Sequence, residues 1–438
     1  MLPRLELFQA TSQKTLNVPI ANGRPVVYAA QTIQFGRKIM SKKSMKNYRE
    51  NTIIAHAGRN PPENHGVVNP PVYHASTITF PTMSAFETRD KPPYEGAQYG
   101  RSGTPTQFAF EQAVSALHGA HKSVSYPSGL AAIAGTFCTL VKNGDHVLVA
   151  DTVYGPTRSR VCGIIMKNMG VEVEFYDAHI GAGIKDLLRP NTVLVFMESP
   201  GSLTFEVQDV PAITGALEGT GVLSLIDNTW ASGYFYKPIA HGVDFVIEAA
   251  TKYTVGHSDA MLGTVTVNKE EHFQMLKGMA NTYGYHAAPD DCYLGQRGLR
   301  TIGVRLEQHQ KNAIEVATWL EGRDEVARVM YPALPSNPGH ELWKRDFTGA
   351  SGLFGVELVE APKSAVEAMM DGYALFGIGA SWGGYESLTQ SCYPGKLRTA
   401  RPWDGKGPTV RYHIGLEDTA DIIDELSAGF DRFNAARK

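Results

Sequence analysis

Ala249-Ala250-Thr251-Lys252-Tyr253-Thr254-Val255-Gly256-His257-Ser258-Asp259-Ala260 sets one lysine among small, hydroxyl-bearing and apolar side chains. Just upstream, Leu223-Ser224-Leu225-Ile226-Asp227-Asn228-Thr229-Trp230 runs through a mostly apolar stretch into a carboxylate. A short apolar run of this kind reads as a strand buried on both faces, the pattern of a parallel sheet. Working outward, His146–Ala150, Thr192–Met197 and Phe245–Ile247 read as further buried strands, and Val171–Phe175 alternates as a strand does. Helical periodicity runs over Thr106–Leu117 and Gly155–Met169. Strands alternating with helices predict a mostly parallel sheet covered on both faces. Functional groups collect beyond the carboxyl ends of such strands, where Glu198, Asp227 and Lys252 fall.

Beyond this unit a long helical pattern runs from about Val304 through Trp319. Phe354–Leu358 and Thr409–Ile414 read as strands, Asp418 as a helix cap, and Thr419–Phe433 as a closing amphipathic helix. The chain of 438 residues is too long for one ordinary core. The expected division is a basic, disordered or artefactual extension over 1–50, an arm rich in Pro, Asn, Thr and Tyr over 51–105, a large α/β domain over 106–300, and a smaller C-terminal α+β domain over 301–438.

Hydrophobic content of 43% and charged content of 19% fit a soluble globular protein. A net charge of -3 gives no global case for nucleic acid or an anionic membrane as partner. No apolar run is long enough to cross a bilayer. Cys138, Cys162, Cys292 and Cys392 are widely separated, without metal-type or redox-type spacing, so no metal is expected and a reducing, cytoplasmic setting is. Within the first fifty residues Lys14, Arg24, Arg37, Lys38, Lys42, Lys43 and Lys46 face few acids, but the stretch is neither Arg-rich nor Ser-rich, as a transit peptide would be. Met40 and Met45 are candidate alternative starts.

The chemistry-bearing residues each admit a plain reading beside a functional one. Most lysines are solvated, but an amine in an apolar or cationic setting has a depressed pKa and becomes a nucleophile toward an aldehyde cofactor such as pyridoxal phosphate (PLP). Asp227 is either a turn or cap aspartate or the acid that keeps a pyridinium nitrogen protonated, so that the ring works as an electron sink. Ser125-Tyr126-Pro127-Ser128-Gly129-Leu130-Ala131-Ala132-Ile133 reads as a turn opening a helix, whose free amides bind phosphate well or simply form a cap. Tyr154 follows a strand and either stacks on an aromatic cofactor or packs in the core. Tyr99 and Arg101 lie in a flexible loop, where arginine offers a planar fork for phosphate or carboxylate or is merely solvated. Arg411 lies inside a strand, where an unpaired guanidinium is costly; an internal ion pair explains it, and so does a substrate carboxylate.

Together these segments resemble the Cys/Met-metabolism PLP-dependent enzyme family, in order from about Asn51 to the C-terminus, and among its members they look like the bacterial cystathionine β-lyases. The likeness is carried by Phe196-Met197-Glu198-Ser199-Pro200-Gly201-Ser202, Ile226–Ala231, Ala249–Met261, Arg297-Gly298-Leu299-Arg300-Thr301, Lys344–Gly349, Ser381-Trp382-Gly383-Gly384-Tyr385-Glu386-Ser387 and His413–Asp418. The resemblance implies a PLP-dependent transferase-like (fold type I) architecture. Residue by residue, it implies that Lys252 is the lysine that forms a Schiff base with PLP and Asp227 the partner of the ring nitrogen. Tyr154 would stack on the ring. Gly129, Leu130 and Thr251 would hold the phosphate, and Tyr99 and Arg101 would reach the phosphate of a neighbouring subunit. Arg411, with Ser381 beside it, would hold the substrate carboxylate. Trp382 favours a β-acting enzyme, because γ-acting relatives usually carry a smaller residue there. Ala380 departs from the pattern, since similar β-lyases often place a tyrosine before Ser-Trp-Gly-Gly.

The expected function is β-elimination of a small amino-acid thioether, cystathionine, to homocysteine, pyruvate and ammonia, with Lys252 and Tyr154 as catalytic groups. The expected assembly is a homotetramer built from dimers. The rival readings are a γ-acting relative on the same scaffold and a non-catalytic PLP-binding protein.

Overall fold

The computed structural model describes residues 48–89, 92, 94 and 96–437. The basic extension predicted over 1–50 therefore lies outside the described residues, apart from its last three.

Twelve strands are seen among the described residues: β1 (Lys122–Tyr126), β2 (His146–Ala150), β3 (Glu172–Tyr176), β4 (Thr192–Glu198), β5 (Leu223–Asp227), β6 (Phe245–Glu248), β7 (Gly263–Val267), β8 (Val326–Met330), β9 (Leu353–Leu358), β10 (Gly377–Ile378), β11 (Leu388–Cys392) and β12 (Thr409–His413). The first seven form one sheet in the order β1-β7-β6-β5-β4-β2-β3. Neighbours from β6 to β3 run parallel, and β7 runs antiparallel to both β6 and β1. The other five form a second sheet, β10-β11-β12-β9-β8, antiparallel except at its β10 edge.

The apolar runs explain the first sheet. Val147, Leu148 and Val149 of β2, Leu194 to Met197 of β4, Leu225 and Ile226 of β5 and Phe245 to Ile247 of β6 are all fully buried. A strand with helices over both faces has no polar side to show, and each such side chain contributes about 1.5–3 kcal/mol through burial. Helices at Pro105–Leu117, Gly129–Leu140 and Glu270–Tyr283 pack on this sheet, and Ile302–Glu321 leads toward the second. The segment after Tyr154 is helical as expected, but over Thr157–Met166 it winds as a π-helix, a variant frequent at functional sites. The closing helix spans Thr419–Arg437, and the Asp418 carboxylate just before it accepts the Ala420 N–H at 3.1 Å, so Asp418 does serve an otherwise free amide of the first turn.

Among the described residues of 51–105 the chain is irregular between short helical turns, Glu50–His56, Pro61–Asn64, Met83–Glu87 and Gly100–Ser102. No helix among the described residues is long and apolar enough to cross a membrane.

Candidate active site

β4 and β5 end side by side in register, with Glu198 opposite Asp227. Asp227 is buried. Its Oδ1 accepts the Thr229 N–H at 3.0 Å and the Thr229 hydroxyl, and that hydroxyl oxygen accepts the Ala249 N–H at 2.8 Å. Thr229 thus ties the end of β5 to the start of the lysine loop. Burial raises the Asp227 pKa to about 6; the Thr229 hydrogen bonds oppose this, Glu248 adds to it, and Lys252 opposes it.

Lys252 sits in the turn that follows β6, closed by Lys252 N–H to Ala249 O at 3.0 Å and Gly256 N–H to Lys252 O at 2.7 Å. Its Nζ lies 2.6 Å from Ser381 Oγ and 5.1 Å from the centre of the Trp382 ring. Burial and then the nearby Arg411 cation lower its pKa to about 8, against the pull of Asp227. An amine tuned this way is neutral in an appreciable fraction of molecules near neutral pH, as a nucleophile or base must be.

Arg411 is buried on β12, the middle strand of the second sheet. Its Nη2 donates to the carbonyls of Gly379 at 3.4 Å and Ser381 at 3.2 Å. It forms no ion pair among the described residues, so the internal ion pair that could have explained it is not found. Tyr154 is 44% exposed, and its backbone N–H donates to Glu198 Oε2 at 2.7 Å. Burial, then the Asp227 and Glu198 carboxyls, raise its phenol pKa. The Glu198 carboxyl is itself pushed well up, by burial first and by Asp227 second.

Gly129 begins its helix with Ser128 as cap, the Ser128 hydroxyl oxygen accepting the Ala131 N–H at 3.1 Å. A Cβ at Gly129 would fall 2.5 Å from the Ala249 Cβ. Glycine therefore lets the amide end of this helix press against the lysine loop, where its free N–H groups favour an anion. The Thr251 hydroxyl donates to the Leu262 carbonyl at 3.1 Å and accepts the Leu262 N–H at 2.8 Å, so its proton is engaged by the backbone.

One cavity of about 330 Å³ joins these groups, lined by Gly129, Leu130, Tyr154, Asp227, Lys252, Trp382 and Arg411 together with Ser128, Glu198, Thr229 and Met261. Ser381 reaches it through its contact with Lys252 Nζ. Ala380, exposed beside them, adds no bulk. Tyr99 and Arg101 do not join this cavity within one chain. They line a separate one with Asn281, whose carbonyl accepts from Arg101 at 2.8 Å, while the Tyr99 hydroxyl accepts from Ser76 Oγ at 3.2 Å.

The donor set fits a flat pyridine ring bearing an aldehyde and a phosphate: a helix start for the anion, a carboxylate at a strand end, an amine of lowered pKa and an aromatic face. Sequence reasoning placed Glu198 near a strand end but gave it no role, and missed Thr229. The signal for Glu198 was its equivalence to Asp227, each a lone acid closing an apolar strand.

The family described as Cys/Met metabolism PLP-dependent enzyme matches residues 51–431. A Rhizobium johnstonii protein is 48% identical over 391 residues, which cover 88% of this chain and 97% of that protein. The cystathionine beta-lyase of Escherichia coli is 42% identical over 395 residues, 89% of this chain and 100% of the enzyme. The solved structure of cystathionine gamma synthase from Xanthomonas oryzae pv. oryzae matches with a TM-score of 0.81 at 30% identity, over 89% of this chain and 99% of that one.

Proposed function

We propose that this chain, which belongs to the Cys/Met metabolism PLP-dependent enzyme family, catalyses β-elimination of cystathionine, in which the Cβ–S bond breaks to release homocysteine and the remaining three-carbon fragment is hydrolysed by one water to pyruvate and ammonia. Its family is PLP-dependent, and the bound cofactor supplies an electron sink for the charge left when a Cα proton departs.

The chain's own residues do the rest. Arg411 binds the substrate α-carboxylate through its planar fork. In that position the substrate carboxylate gives the buried guanidinium the anionic partner it lacks among the described residues. Neutral Lys252 takes the Cα proton as general base, and its lowered pKa makes that form available. Asp227, held by Thr229, would keep the cofactor's ring nitrogen protonated. Tyr154 would stack on the cofactor, and Lys252 or Tyr154 would return a proton to the departing sulfur. Gly129, Leu130 and Thr251 would hold the phosphate.

The carrying observation is that Lys252 Nζ lies between Ser381 and Trp382, in the same cavity as Asp227 and Arg411. Trp382 lines this cavity, and it favours the β-acting reading because γ-acting relatives usually carry a smaller residue at that place. Tyr99 and Arg101, on the arm of residues 51–105, serve the site of a second subunit, so the active unit is at least a dimer, and dimers pair into a tetramer. The test is product analysis with PLP-loaded protein and cystathionine. Homocysteine with pyruvate is expected; cysteine with 2-oxobutyrate and no pyruvate would assign the chain to the γ-acting group.

A further inference from the structure

Gly383 is where the supports of the two cationic groups meet. Its φ is +89°, and a Cβ there would lie 2.9 Å from the Cα, C and Cβ of Lys252, so its backbone rests directly on that residue. The residues just before it hold the lysine side chain, through Ser381 Oγ and the Trp382 ring. The same stretch aims Arg411, through the carbonyls of Gly379 and Ser381.

His413 fastens this stretch to the second sheet. Its Nε2 accepts the Gly383 N–H at 3.1 Å, and its Nδ1 faces the Glu386 carbonyl at 3.1 Å. An amide donor on one nitrogen and a carbonyl acceptor at the other select the neutral imidazole with its proton on Nδ1. The ring is 1% exposed and packs against His309 at 5.2 Å and Tyr253 at 5.9 Å, centre to centre. Arg411 and His413 are two residues apart on β12 and so share one face of the sheet. The segment is tied on either side of this point as well, by the Gly379 N–H to the Thr389 carbonyl at 3.1 Å, the Leu416 N–H to the Tyr385 carbonyl at 2.8 Å, and Ser258 Oγ to the Glu386 carboxylate at 2.6 and 2.9 Å, but the Gly383 amide itself is held by His413.

We propose that His413 is a positioning residue for both Lys252 and Arg411, acting through the Gly383 amide. It touches neither substrate nor cofactor. This rests on the roles given above to Lys252 and Arg411. Without the imidazole acceptor the buried Gly383 N–H has no partner, a state that favours movement of the stretch. Ser381 then leaves Nζ, and the carbonyls that aim the guanidinium shift with it.

The test uses holoenzyme that already converts cystathionine. His413→Gln places an amide oxygen at about the reach of Nε2, whereas the shorter side chain of His413→Asn reaches only to about Nδ1. The glutamine variant is expected to stay within about threefold of the parent. The asparagine variant should lose about tenfold or more in kcat/KM, with KM raised and kcat lowered together. The pH at which the visible band of the bound cofactor titrates should move in the asparagine variant and not in the glutamine one, a change that general loosening of the fold does not produce. In a double-mutant cycle, the effect of His413→Asn should shrink in a Ser381→Ala background. Equal behaviour of the two variants, or strictly additive effects with Ser381→Ala, overturns the proposal. Absence of turnover by the parent enzyme would strike instead at the function proposed above.

Discussion

Glu198 and Asp227 end adjacent parallel strands in direct register, and both line one cavity, Asp227 buried and Glu198 half-buried. Each raises the pKa of a neighbour: Asp227 pushes up Glu198, and both push up the Tyr154 phenol. Two carboxylates this close do not both ionise readily. Asp227 is stabilised as the anion by Thr229 and Lys252, so Glu198 is the member of the pair pushed more strongly toward its neutral form, by burial and by Asp227.

The push of Glu198 toward its neutral form predicts that Glu198→Gln is nearly silent. The amide oxygen still accepts from the Tyr154 N–H, and kcat/KM at pH 7 should stay within about threefold. Glu198→Ala removes the acceptor and should cost about 1–3 kcal/mol in stability by denaturant unfolding, from the unsatisfied N–H and the space left behind. A loss of more than about a hundredfold in the glutamine variant would show that the negative charge is needed.

Asp227→Asn removes the anion that favours a protonated ring nitrogen. Steady-state kinetics should show kcat lower by on the order of 10² or more. The Lys252 amine, deprived of its nearby carboxylate, should also titrate below about 8, because Asp227 opposes the lowering of its pKa.

The pH dependence of cofactor capture reports the state of Lys252. Only the neutral amine attacks an aldehyde, so the rate at which cofactor-free protein takes up PLP should rise with pH through a midpoint of about 8. Arg411→Met removes a cation that disfavours the ammonium form, so the midpoint should move up and uptake at pH 7 should slow. Stopped-flow absorbance of the two proteins measures the difference directly. A midpoint unchanged by Arg411→Met contradicts this arrangement of charges.

Gly383→Ala meets both a left-handed backbone, at φ +89°, and the Lys252 backbone at 2.9 Å. Strain of about 1–3 kcal/mol is expected in thermal or denaturant unfolding, with a larger loss of turnover than Gly384→Ala causes at the adjoining position. At Gly384 the crowding atoms are the ends of the Ser258 and Glu386 side chains, which can move.

Much of the architecture was legible because the central strands are apolar on both faces. β2, β4, β5 and β6 stand close to where their sequences placed them, and Asp227 closes β5 at the end of its apolar run. β1, β7, β8, β10 and β11 were not foreseen. Their sequences, such as Lys122-Ser123-Val124-Ser125-Tyr126 and Leu388-Thr389-Gln390-Ser391-Cys392, carry polar side chains that only pairing with neighbours makes strand-like. In the site, Lys252, Asp227, Tyr154 and Arg411, each singled out from its own stretch of sequence, line one cavity. The contacts that set their properties were hidden. Thr229 bridging two loops, Ser381 on the lysine amine and His413 on the Gly383 amide join residues far apart in the chain. No local pattern announces such pairs. Thr251 shows the converse, a hydroxyl noticed in the sequence whose backbone partners the sequence could not supply.

The most direct test of the account is reduction of PLP-loaded protein with borohydride, followed by proteolysis and mass mapping of the attached pyridoxyl group. The account predicts one modified peptide, carrying the group on Lys252, and no stable incorporation in Lys252→Ala. Label on another lysine, or undiminished label in that variant, would contradict it.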